Sequence, residues 1–249
     1  MTDLALSHDG FLGGAIRIWQ PLEGFRASTD AVLLAASVPA QAGERVLDLG
    51  CGVGTAGLCV AHRTGAHVTG VEFDAATADL ARRNAAETGL QMQVIEADVD
   101  ALPAQVRAQS YDHVLCNPPY YPAGAGTVAQ NPDRDAAMRE NLPLAIWLDA
   151  ATRRVRPGGT VSLIFTTERL PDLMAALDGR LGGGKVLPLA ARAGRPAKRV
   201  IFQACKGARS PFQLLAPLVL HAQATHLKDG TDETEAARAI LRNGARLTL

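Results

Sequence analysis

Arg45-Val-Leu-Asp48-Leu-Gly50-Cys-Gly52-Val-Gly54-Thr-Ala-Gly57 is an apolar run that dissolves into glycines. Arg45 to Leu49 has the length and composition of a buried strand, and Thr55 to Arg63 reads as the start of a helix. The glycines between them permit positive φ and let the backbone approach a ligand closely. Strand, glycine turn and helix open a βαβ unit, and the rest of the chain is read outward from it. The next strand, His67 to Val71, ends on Glu72, 20 residues past Gly52. A carboxylate there can accept from both hydroxyls of a ribose.

Two ligands suit this pattern. Gly52-x-Gly54-x-x-Gly57 with Glu72 at its offset satisfies the dinucleotide fingerprint, so the glycines alone do not separate a nicotinamide cofactor from S-adenosylmethionine (SAM). Asp48, two residues before the first glycine, favours SAM: a carboxylate suits its cationic amino acid end and repels a pyrophosphate. A tight turn without a ligand is the plain alternative.

Further along, Asn117-Pro118-Pro119-Tyr120 follows the apolar run Tyr111 to Cys116. Two consecutive prolines cannot donate backbone hydrogen bonds, so the strand ends there in a stiff, extended turn. Such a turn fixes an amide oxygen, a proline carbonyl and an aromatic face together. It can hold an amino group borne on a ring, with the hydrogens given to the two oxygens and the ring stacked on Tyr120. A turn without chemistry is the bland reading.

Between and around these motifs the elements alternate. Phe11 to Phe25 reads as a short strand or hairpin, and Asp30 as the cap of a helix over Ala31 to Ser37. Helix 75–88 stops at Gly89, strand 92–96 follows, and 99–109 is irregular. A polar loop spans 121–140, a length usual for a functional segment. Helix Leu142 to Val155 is stopped by Pro157-Gly158-Gly159, before strand Thr160 to Phe165 and helix 171–178. Strands near 185–190, 199–205 and 214–220 precede a capped helix from Thr231 to Asn243, with Gly244 beyond. This is an α/β fold, a doubly wound and mostly parallel sheet whose late strands form an antiparallel edge. Residues 1–29 form an amino-terminal extension and 30–249 a single domain. In such sheets ligands sit at the carboxyl ends of the strands, where Asp48 to Gly54, Glu72, Asp98 and Asn117 converge on one crevice.

Composition sets outer bounds. The 249 residues are 47% hydrophobic with zero net charge, enough for one sizeable domain. The amino terminus lacks a basic and apolar leader, and no apolar run is long enough to span a bilayer. The four cysteines, without metal-ligand spacing or a redox pair, read as reduced core thiols of a cytoplasmic protein, and no metal site is expected. The neutral total hides an asymmetry. Residues 179–228 carry nine Lys+Arg and no acidic residue, among them Arg192, Arg195, Lys198 and Arg199. A stretch of this kind suits a phosphate backbone, unless neighbours in space neutralise it.

Taken together, the glycine motif, Glu72, Ala97-Asp98 and Asn117 to Tyr120 resemble the SAM-dependent methyltransferases that act on amino groups conjugated to a π system. Further residues narrow the likeness: Gly24-Phe-Arg-Ala-Ser-Thr29-Asp30-Ala-Val-Leu-Leu, Tyr121, the loop ending near Glu140, and Thr231-x-Glu233 with the helix through Arg242. With these the chain resembles the bacterial tRNA adenine-N6 methyltransferases, which modify the adenosine 3′ of the anticodon in valine tRNA. The resemblance covers nearly the whole chain. It implies a Rossmann-like seven-stranded sheet, SAM as cofactor and tRNA or another structured RNA as partner. It also implies that Asp48, Gly50, Gly52 and Gly54 line the methionine end, Glu72 holds the ribose, and Asp98 accepts from the cofactor's adenine amino group. Thr29 and Asp30 close over the cofactor. Asn117 and the Pro118 carbonyl take the target amino group, and Tyr120 stacks on its ring. Cys51 stands where this class often has a small residue.

The chemistry calls for no catalytic His or Cys, because the amine becomes strongly acidic only after transfer. The closest rival is a protein glutamine methyltransferase, whose amide fits the same turn; the basic stretch speaks against it. A DNA adenine methyltransferase needs more chain for target recognition. A non-catalytic SAM-binding RNA partner has no need of Asn117 and Tyr120, and nothing resembles a hydride-transfer site.

Overall fold

The computed structural model describes residues 5–23, 26–119, 121–122, 139–140, 142–223 and 232–249. Gly24, Phe25, Tyr120 and Thr231, all named above, lie outside them. A hairpin leads, β1 (Leu6–Phe11) and β2 (Ile16–Pro21), followed by α1 (Thr29–Ser37), β3 (Arg45–Leu49), α2 (Thr55–Thr64), β4 (His67–Glu72), α3 (Ala75–Thr88) and β5 (Met92–Glu96). A short α4 (Ala104–Arg107) lies in the segment expected to be irregular, and β6 (Tyr111–Cys116) follows. The two-residue strands β7 (Tyr121–Pro122) and β8 (Arg139–Glu140) pair with each other. Then come α5 (Leu144–Arg154), β9 (Val155–Thr166), α6 (Leu170–Ala176), β10 (Leu181–Arg192), β11 (Arg199–Lys206), β12 (Gln213–Leu214), β13 (Leu218–His221) and α7 (Glu235–Asn243).

The body of the sheet has seven strands in the order β10-β11-β9-β6-β3-β4-β5. The strands β9, β6, β3, β4 and β5 are parallel. Successive residues of β3 and β6 face opposite layers, which explains their unbroken apolar sequences. Val46 and Leu115 pack in the layer of α1, α2 and the hairpin, while Leu47, Leu49, Val114 and Cys116 face the layer of α5 and α6.

The antiparallel strand expected on this side of the sheet is β11, which pairs antiparallel with both β9 and β10. Three details differ from the sequence reading. The expected strand 214–220 is split into β12 and β13, both parallel to the outer side of β10. Pro217, without an N–H, stands in the gap between them. Pro157-Gly158-Gly159 ends no helix: α5 stops at Arg154, and the glycines sit inside β9, in an irregular stretch between the Tyr111 and His113 pairings. Asp30 is not the cap of α1. Ser28 accepts from the Asp30 N–H instead, leaving the Asp30 carboxylate, one residue inside the helix, to other partners.

Candidate active site

The glycine turn is braced from beneath by two carboxylates. Asp48, 2% exposed, accepts from the Gly57 N–H through Oδ2 at 2.9 Å, which ties the end of β3 to the first turn of α2. Glu72 accepts from the Gly52 N–H at 2.9 Å and from the Asp74 N–H at 3.0 Å, one on each oxygen. Each oxygen keeps a lone pair for a further donor, as a ribose clamp requires. Burial raises both carboxyls, Asp48 to about 7, and the nearby Glu72 charge adds to the effect on Asp48. A cation arriving at the turn is therefore favoured.

Gly50, Gly52 and Gly54 all have positive φ. At Gly50 a side chain is doubly forbidden, since a Cβ would stand 2.7 Å from the Trp147 ring. At Gly52 a Cβ would meet nothing within 4 Å, so the backbone there borders open space. Asp98, exposed and two residues beyond β5, stands at the same edge of the sheet. Phe73, 67% exposed directly after Glu72, supplies an apolar face that the sequence reading passed over. Its signal was available: an aromatic between two acidic residues at a strand end.

Leu49 pairs with Cys116, so Gly50 and Asn117 continue side by side past the strand ends. The Asn117 side-chain oxygen is buried and has no hydrogen-bond partner among the described residues. A buried acceptor left open is costly, and it marks a place where a donor belongs. The Trp147 indole N–H and the Thr166 hydroxyl, at the same end of α5 and β9, are buried and open as well. Trp147 is 8% exposed and packs on Gly50, a role indistinguishable in sequence from that of any core aromatic on an amphipathic helix. Arg169, also unforeseen, donates to the Pro119 carbonyl at 3.2 Å. Tyr120 lies outside the described residues. No histidine stands at these strand ends, and among the described residues no group of His, Cys, Asp or Glu could hold a metal.

Thr29 is exposed at the start of α1. Beside it the Asp30 carboxylate pairs with Arg199 at 3.1 Å, and Arg199 stands opposite Thr166 in the sheet. A residue expected at the cofactor and one expected at RNA are thus joined. Arg192 pairs with the buried Asp232 at 3.4 Å and donates to the Gln223 carbonyl. Arg195 and Lys198 are exposed on the β10–β11 turn, with no side-chain partner among the described residues. The basic stretch is therefore less uniform than its sequence suggests. Arg180 is bound by Asp149 and Asp178, and Lys206 caps carbonyls of Thr152 and Val155.

The model of the methyltransferase small domain family matches residues 27–168. A tRNA1(Val) (adenine(37)-N6)-methyltransferase of Dickeya chrysanthemi is 31% identical over 77% of this chain and 77% of its own length. A structure from Agrobacterium tumefaciens, described as a predicted O-methyltransferase, superposes with a TM-score of 0.70 at 30% identity, covering 88% of this chain and 99% of that one. The Thermus thermophilus 16S rRNA N2 G1207 methyltransferase, solved with AdoMet and guanosine, shares the fold at a TM-score of 0.57 and 23% identity, over 81% of this chain and 50% of that one. With its glycine turn, two buried carboxylates and Asn-Pro-Pro turn at the carboxyl ends of neighbouring strands, this chain belongs to the methyltransferase small domain family and is a SAM-dependent methyltransferase.

Proposed function

We propose that the enzyme methylates the N6 amino group of an adenosine in tRNA, the one next to the anticodon, and works in the cytoplasm. The carrying observation is the buried, open Asn117 Oδ1, one residue before Pro118 and level with the glycine turn. The name of the Dickeya relative supports the substrate. SAM, held by Asp48, Gly50, Gly52, Gly54, Glu72 and Asp98 with Thr29 and Asp30 at the rim, supplies an electrophilic methyl group. Everything else falls to the acceptor side. The adenine nitrogen is a poor nucleophile because its lone pair is delocalised. Asn117 Oδ1 and the Pro118 carbonyl accept its two hydrogens, favouring a pyramidal nitrogen with a freed lone pair, while Tyr120 stacks on the base. The base must leave its stack, at about a few kcal/mol, less in a loop than in a duplex. Arg195 and Lys198 take phosphates, with Arg192 and Arg199 behind them.

A glutamine amide remains the second reading, because it fits the same two acceptors and because internal pairing thins the basic surface that spoke against it. The test offers labelled SAM, unmodified bulk tRNA and, in parallel, a release-factor protein. N6-methyladenosine in tRNA is the expected product. Label in protein alone moves glutamine to first place.

A further inference from the structure

Arg169 stands where β9 turns into α6 and is 6% exposed, a depth at which a guanidinium must be paired. Its Nε pairs with Asp172 Oδ2 at 3.3 Å, in the first turn of α6, and its Nη1 donates to the Pro119 carbonyl. That second bond has a consequence for the neighbouring turn. Pro118 and Pro119 have no N–H, so their backbone can be tied down only through carbonyl oxygens. Their φ angles are fixed by the rings, and ψ is the freedom that remains. A donor on the Pro119 carbonyl removes that freedom at Pro119 and, through its ring-fixed φ, restrains the peptide plane that carries the Pro118 carbonyl. No other described side chain donates to Asn117, Pro118 or Pro119.

We infer that Arg169 is a positioning residue for methyl transfer, holding the Asn117–Pro118 acceptor pair in register through the Pro119 carbonyl. This rests on the reading of Asn117 and Pro118 as the acceptor pair, so the test reads the two separately. Arg169→Gln, Arg169→Lys and Asn117→Ala are compared with wild type by steady-state transfer from labelled SAM to unmodified tRNA, by SAM titration and by thermal melting. Arg169→Gln should lower kcat by about tenfold to hundredfold, because a misplacement of about an ångström at a reacting centre has that effect. SAM affinity and KM for tRNA should stay within about twofold. Arg169→Lys, with a single rotatable ammonium in place of a planar fork, should fall between. Guanidinium chloride at low concentration should restore part of the turnover to Arg169→Gln and none to Asn117→Ala. An unchanged kcat overturns the inference. So does a parallel loss of melting temperature, SAM binding and turnover in both Arg169 variants, which would make the residue a strut and nothing more. Wild-type turnover in Asn117→Ala would sink the acceptor-pair reading itself and the inference with it.

Discussion

At Asn117 the proposed role rests on a single buried oxygen. Asn117→Ala should cut turnover about 100- to 1000-fold while SAM titrations stay close to wild type, because the acceptor acts only at the reacting nitrogen. Equal loss of SAM binding would show that Asn117 serves the cofactor instead. Asp48 gives a pH signature. Its carboxyl titrates near 7 in the fold against an ordinary value of 3.8, so the folded state holds the extra proton between about pH 4 and 7. Stability of the ligand-free enzyme should therefore decline as pH rises through that window, by on the order of a few kcal/mol. Affinity for SAM should rise over the same window as the carboxylate ionises to meet the cationic amino group. Asp48→Asn, which can still accept from Gly57, should flatten both curves in calorimetric titrations and melts. A pH-independent affinity in wild type would remove Asp48 from the cofactor's charge balance. Both residues were legible in the sequence because each sits at an unmistakable break from apolar strand to Gly or Pro.

At the scale of elements the amino-terminal hairpin shows what patterning alone leaves open. Its strands were expected, but not what holds them. Asn84 of α3 is fully buried and uses both ends of its amide: Oδ1 accepts from the Trp19 N–H, and Nδ2 donates to the Trp19 and Val53 carbonyls. One side chain thereby joins β2, α3 and the glycine turn, 65 residues from Trp19. Asn84→Ala should destabilise the fold by about 2–4 kcal/mol in denaturant melts, since it strands several buried polar groups at once. A change below about 0.5 kcal/mol, the size usual at exposed sites, would mean that water replaces the amide. In sequence Asn84 is one polar residue in an alanine-rich helix. The late strands follow the same rule: their existence was visible, whereas the split at Pro217 and the parallel pairing with β10 depend on which edge was free.

Over the whole molecule, strand direction sorts the basic stretch. The carboxyl end of β10 and the amino end of β11 meet at the edge where β3 to β6 present the site, placing Arg192, Arg195, Lys198 and Arg199 there. Arg180 and Lys206 fall at the opposite edge, where acidic groups and helix carbonyls engage them. Neutralising Arg195 and Lys198 together should lower the slope of log affinity for tRNA against log salt by about 1.4, from roughly 0.7 per phosphate contact on single-stranded RNA. Neutralising Arg209, beyond the carboxyl end of β11, should leave the slope unchanged, and filter binding across a salt series distinguishes the two. Equal slopes in all three proteins would place the RNA elsewhere. The alternation of strands and helices, the glycine turn, Glu72 and the Asn-Pro-Pro turn were all determined by the sequence itself, because each depends on backbone rules that act over a few residues. The bracing of Gly52 and Gly57 by Glu72 and Asp48, the anchoring of Pro119 by Arg169 and the fate of each cation were decided only by the tertiary structure. Those depend on which groups meet across strands, and charge counted along the chain carries no information about its partners in space.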